Sequence, residues 1–124
     1  MIRKWLSYSV GSLKFKGRKA DDDGEAVSKL KIAGAIPLLV SSTPELCFGW
    51  EASNHITGVT KNPYNPAYSS AGSSGGEGAL LGAGASVIGI GSDIAGSIRL
   101  PALFNGIFGH KPTPSKIFSI KKPY

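Results

Sequence analysis

A chain of 124 residues with 41% hydrophobic content has room for one small domain and can bury about two thirds of its unfolded surface. Its single cysteine, Cys47, excludes an intramolecular disulfide and makes a reduced, intracellular setting the default expectation. The formal charge of +6 lies at the ends: eight basic residues face four acidic ones from Met1 to Lys31, and four lysines stand alone from Lys111 onward. In the middle only Lys61 and Arg99 oppose Glu45, Glu51, Glu77 and Asp93. That distribution lacks the clustered basic, aromatic-bearing face of a nucleic-acid module, so no nucleic-acid partner is expected. No run approaches the roughly 20 apolar residues of a membrane span; the longest, Ala79 to Gly91, is broken by Ser86. Met1 to Ser7 has charge but no apolar core, unlike a signal peptide.

In chain order, Ser7 to Lys19 alternates small, apolar and basic residues without helical period and reads as a loop or frayed strand. Asp21, Asp22 and Asp23 offer N-cap oxygens, and Val27, Leu30 and Ala33 follow at helical spacing. These features predict a helix over about 22–33 with Gly34 as its stop. A metal cluster of the three aspartates is disfavoured, because adjacent side chains diverge; no metal and no cofactor are expected. The run Ala35-Ile36-Pro37-Leu38-Leu39-Val40 predicts a buried parallel strand, although Pro37 cannot donate to a ladder. Pro44 predicts a short helix start. Residues 54–70 read as an irregular loop, with His55 a lone and ordinary histidine.

Sixteen of the twenty-nine residues from Ser69 to Ser97 are Gly or Ser, a linker-like composition that the periodicity contradicts. Glu77 to Ala85 suits a closely packed helix and Val87 to Ile90 a strand, while Gly96 to Phe104 starts another helix or turn. Helix, strand, helix, strand predicts an α/β architecture with a mainly parallel sheet.

Two serine clusters lie in this stretch, Gly72-Ser73-Ser74-Gly75-Gly76-Glu77-Gly78 and Gly91-Ser92-Asp93-Ile94-Ala95-Gly96-Ser97-Ile98-Arg99-Leu100. Neither carries a Gly-Lys-Ser/Thr ending or a GxGxxG between strand and helix, which argues against nucleotide binding. Gly72-x-Ser74-x-Gly76 matches a nucleophile elbow only formally, since a loop precedes it. If the clusters share a pocket, one hydroxyl can act as nucleophile. With no histidine suitably placed, a desolvated lysine would take its proton, directly or through a second hydroxyl. Backbone N–H groups near Ser97 would then stabilise the developing oxyanion.

These motifs, with Gly96-Ser97-Ile98-Arg99-Leu100-Pro101 and Phe104-Asn105-Gly106-Ile107-Phe108-Gly109-His110-Lys111-Pro112-Thr113-Pro114, resemble the amidase signature family closely. Ala33-Gly34-Ala35-Ile36-Pro37, Pro44-Glu45-Leu46 and Asn62-Pro63-Tyr64 are similar to its fatty-acid amide hydrolase branch. The resemblance implies an α/β fold, a mainly parallel mixed sheet with flanking helices, of which this chain is a fragment truncated at both ends. Residues 1–20 would be an irregular basic segment, 21–114 a partial domain and 115–124 a basic tail.

The resemblance also implies a Ser-Ser-Lys amide hydrolase acting on small, lipid-like amides. Ser97 would be the acylated nucleophile and Ser73 the bridging serine, usually held by a cis peptide bond. The N–H groups of Ile94, Ala95, Gly96 and Ser97 would form the oxyanion hole, with Ser74, Asp93 and Arg99 in support. Relatives often carry Gly where this chain has Ala71 and Ala95, and alanine there is tolerable only if φ is negative. The triad lysine would fall before Met1; Lys4 is nearest but sits in an unlike motif. A chain with both serines and no base is expected to be nearly inert. The alternatives are an inactive remnant or a small glycine-rich ligand-binding domain.

Overall fold

The structure, a computed structural model, describes residues 6–114; Lys4 and the basic tail 115–124 lie outside the described residues. The chain first makes a 3-10 turn at Leu13–Phe15 beside an antiparallel bridge between Ser7 and Lys19. Arg18 stacks between the rings of Tyr8 and Phe15, 4.0 and 4.2 Å from their centroids, which ties this loop to itself.

Helix α1 spans Glu25–Ile32 and buries Val27. Its start corrects the aspartate-cap expectation: Gly24 is the N-cap and no side chain caps it, while Asp23 pairs with Lys31. Its end is as expected. Gly34 adopts φ +93°, its N–H reaches Lys31 O at 3.0 Å, and the Ala35 N–H reaches Leu30 O at 2.9 Å. This pair of hydrogen bonds closes the last turn through a left-handed glycine.

Where a short helix was expected after Pro44, the chain makes one 3-10 turn, Glu45–Cys47, with Leu46 at φ 54° and Cys47 at φ 59°. The expected irregular loop contains a hairpin of β1, Ser53–Asn54, and β2, Gly58–Val59, paired antiparallel. Asn54 closes it: its Oδ1 accepts from the N–H groups of Ile56 and Thr57, both at 2.8 Å, an Asx-type turn. Its Nδ2 donates to Thr43 O at 2.7 Å, anchoring the hairpin on the preceding segment.

The runs 35–40 and 87–90, expected as strands, carry no ladder; the only paired strands among the described residues are β1 and β2. A β-prone sequence supplies an edge, but a strand exists only where a neighbouring backbone completes its hydrogen bonds. Ile36, Leu38, Val87 and Ile88 are accordingly exposed.

Helix α2 spans Gly75–Gly82, and α3 spans Arg99–Phe104. Half of α2 is glycine, a poor helix former, and the reason is close approach. A Cβ on Gly76 would stand 2.5 Å from the backbone N and O of Ser42, and one on Gly78 would stand 2.7 Å from Asn105 Nδ2. The small core of Ala20, Val27, Ala52, Ala71 and Ala102 is completed by buried Pro101, Asn105 and Ser70. Asn105 Nδ2 donates to Ser70 O at 3.0 Å and to Pro101 O at 2.8 Å. Asn62 Nδ2 donates to Phe104 O at 2.7 Å. These amides fasten the loop before α2 to the end of α3.

Candidate active site

The first serine turn is pressed into the interior. Residues 70–76 are all buried, and Ser73 is 3% exposed. The Gly72–Ser73 peptide bond is cis. A Cβ on Gly72 would stand 2.9 Å from Glu51 N and C, and the Ala52 N–H donates to Ala71 O at 3.1 Å. The turn therefore lies on the Glu51–Ala52 backbone without room for a side chain between them. Ala71 holds φ +60°, whereas Ala95 is not among the residues of positive φ.

The second turn is organised by Asp93. Its side chain is fully buried and its partner Arg99 is half-exposed. Arg99 grips both carboxylate oxygens, with Nε 3.0 Å from Oδ2 and Nη2 3.0 Å from Oδ1. The N–H groups of Ile98 and Arg99 donate to Oδ2 at 3.1 and 3.2 Å, so Asp93 satisfies the amides at the start of α3 from outside the helix. The Arg99 guanidinium holds the carboxyl well below the usual carboxylate range; the backbone N–H groups add to that effect and burial opposes it.

The Gly96 N–H also donates to Asp93 Oδ1, at 2.7 Å. Of the four amides from Ile94 to Ser97, the Gly96 N–H is thus the one that the Asp93 carboxylate takes. Among the described residues, the N–H groups of Ile94, Ala95 and Ser97 have no hydrogen-bond partner, nor have the Ser73 and Ser97 hydroxyls.

The fold brings the two turns together. The Ser74 N–H donates to Ser97 O at 3.1 Å. The Ser74 hydroxyl accepts from the Ser92 N–H at 3.4 Å and donates to Ser92 O at 3.5 Å. A Cβ on Gly91 would stand 2.6 Å from that hydroxyl oxygen. Ser74, Ser92 and Ser97 thus meet at one junction, with Ser73 preceding Ser74 on the first turn and Asp93 and Arg99 on the second.

Ser73 and Ser74 also border a cavity of about 400 Å³ walled by residues 35–41 and 86–92. Ser97, Asp93 and Arg99 do not line it. Its one charged lining residue is Glu77 on α2, whose Oε1 accepts from the Ser41 hydroxyl at 2.7 Å. Sequence reasoning gave Glu77 no role; the available signal was a lone carboxylate amid glycines. His55 is exposed, and no group of three or more His, Cys, Asp or Glu among the described residues is arranged to hold a metal ion.

The sequence profile of the amidase family matches residues 4–118. Fatty-acid amide hydrolase 2-B of Danio rerio is 59% identical over 104 residues, covering 83% of this chain and 20% of that protein. Fatty-acid amide hydrolase 2 of Homo sapiens is 52% identical over 109 residues, covering 88% of this chain and 20% of that protein. Among solved structures, one chain of the Thermotoga maritima glutamyl-tRNA(Gln) amidotransferase superposes with a TM-score of 0.87 at 30% identity, over 90% of this chain and 25% of that one. The chain thus spans about a fifth of the length of these curated relatives, and its α/β fold is that of a portion of the amidase fold.

Proposed function

The chain belongs to the amidase family, and from that premise we propose that its chemistry is amide-bond cleavage through an acyl-enzyme on Ser97. The observation that carries the reading is the 3.1 Å bond from the Ser74 N–H to Ser97 O, which holds the two serine turns at one junction. The Ser97 Oγ attacks the amide carbonyl carbon and passes its proton to Ser73 Oγ. The Ser73 hydroxyl proton goes on to a base and from there to the leaving amine as the C–N bond breaks. The carbonyl oxygen, negative in the tetrahedral intermediate, is met by the N–H groups of Ile94, Ala95 and Ser97; donors of this type are worth about 100-fold to 1,000-fold each. Water then hydrolyses the Ser97 ester by the reverse relay.

Asp93 and Arg99 act by holding the turn in shape. No lysine is among the residues that line the cavity beside Ser73. The names of the relatives make fatty-acid amides the proposed substrate class.

A fluorophosphonate probe tests the nucleophile directly. Folded protein, verified by circular dichroism, is expected to be labelled, and Ser97→Ala to abolish the label. Ser73→Ala should slow labelling about 100-fold or more, the usual worth of proton-transfer assistance. Labelling that persists in Ser97→Ala, or a folded chain that never labels, sinks the reading in favour of a non-catalytic remnant.

A further inference from the structure

Asn105 is fully buried, at 0% exposure, and its side-chain amide is spent on backbone. Nδ2 donates to Ser70 O at 3.0 Å and to Pro101 O at 2.8 Å. Its Oδ1 is buried without a hydrogen-bond partner among the described residues. A leucine of similar shape would fill the site without that unmet acceptor, so packing alone does not account for an amide here; the two donated bonds do.

The two acceptors lie on the two segments that carry the serines. Ser70 opens the buried run 70–76, which holds Ser73, and Pro101 lies in α3, whose N-cap Ile98 follows Ser97. The same segments are joined a second time where the Ser74 N–H donates to Ser97 O at 3.1 Å. One hydrogen bond between two segments leaves a hinge, whereas a second bond at the other end fixes their relative orientation. Helix α2 closes the side of this clamp: a Cβ on Gly78 would stand 2.7 Å from Asn105 Nδ2 and 3.0 Å from Pro101 Cβ, and one on Gly82 would stand 3.1 Å from Asn105 O.

Passage of a proton from Ser97 Oγ to Ser73 Oγ requires the hydroxyls in register, and a misplacement of about 1 Å costs such a step about 100-fold. We propose that Asn105 is a positioning residue for the serine relay: its carboxamide holds the Ser73 turn against α3 and so sets the reach of Ser97 to Ser73. The proposal rests on the relay described under the proposed function. Being buried, Asn105 acts only through the backbone of Ser70 and Pro101.

The test compares the natural chain with Asn105→Leu by fluorophosphonate labelling and by amide hydrogen exchange in NMR, under conditions where circular dichroism shows both folded. The first-order labelling rate is expected to fall about 100-fold in Asn105→Leu, with the half-saturating probe concentration unchanged. The Ser74 N–H should exchange about tenfold faster or more, while the amides of α1 keep their rates. An unchanged labelling rate in Asn105→Leu overturns the proposal. So does faster exchange by one common factor at Ser74 and in α1, which would show a general loss of stability. A folded natural chain that never labels would instead sink the serine chemistry, and exchange alone then decides the clamp: a selective rise at Ser74 upholds it, and no selective rise refutes it. One measurement needs no substitution, so a variant that fails to fold does not spare the proposal. In the natural chain the Asn105 Nδ2 protons should exchange in step with the Ser74 N–H as urea is raised, and Nδ2 protons that exchange without release of Ser74 would show that the two fastenings are independent and overturn it.

Discussion

At the scale of single residues, the informative feature is a buried carboxylate that serves as a fastening point. Asp93 collects three backbone amides and the Arg99 fork, and its carboxyl is held below its usual range chiefly by Arg99. A carboxyl whose folded value lies below its unfolded value of about 3.9 stabilises the fold fully above that value. The contribution is lost as pH falls from about 4 toward the folded value. Asp93→Asn is therefore expected to lose about 1.5–3 kcal/mol at pH 7, the worth of hydrogen bonds to a charged group. Its urea stability should also vary less between pH 5 and pH 3 than that of the natural chain. Equal pH dependence in the two proteins would refute the assignment.

Ala71 supplies the second prediction at this scale. Its φ of +60° and its burial leave a β-branched side chain neither an allowed backbone nor space. Ala71→Val should cost about 2–4 kcal/mol, combining left-handed strain with overpacking. A urea midpoint unchanged from the natural chain would contradict the positive φ. Glycine-rich motifs around Ser73 and Ser97 were plain in the sequence. That Asp93 takes the Gly96 amide was not, because that bond depends on how the turn closes rather than on which residues compose it.

At the scale of elements, stops were more legible than starts and strands. Gly34 ends α1 as its position predicts, because a left-handed residue there satisfies the last carbonyls locally. The aspartates before α1 offered three caps, yet Gly24 took the position while Asp23 turned to Lys31; competing partners a turn or two away decide such cases. The glycines of α2 read as small packing residues in sequence, and the structure gives each its neighbour. Gly76→Ala would gain about 1 kcal/mol of helix propensity. It would also place a methyl 2.5 Å from two backbone atoms of Ser42, which no rotamer change relieves. The overlap wins: a net loss of about 1–2 kcal/mol is expected, measurable by chemical denaturation, and a stabilised Gly76→Ala would show that α2 lies farther from Ser42.

At the scale of the whole molecule, apolar surface outruns the core. Val87 is 100% exposed and Ile94 97%, while the buried hydrophobic set is mostly alanine. Surface of this kind associates unless covered. Sedimentation velocity is expected to show concentration-dependent association at micromolar levels. Replacing Ile94 and Phe108 with lysine should suppress it without changing the circular dichroism spectrum. A natural chain that stays monomeric at high concentration would show that these side chains find cover within the monomer.

By itself the sequence determined α1 with its stop at Gly34, a packed helix at α2, the α/β class and the two serine motifs, because each rests on local spacing and on residue types with fixed conformational habits. Only the tertiary structure decided three further matters: that the runs 35–40 and 87–90 form no strand ladder among the described residues, that Ser74 is tied to Ser97, and that Glu77 faces the cavity. Each depends on which backbone lies beside another, and a hydrogen bond across twenty or more residues leaves no trace in either partner's local sequence.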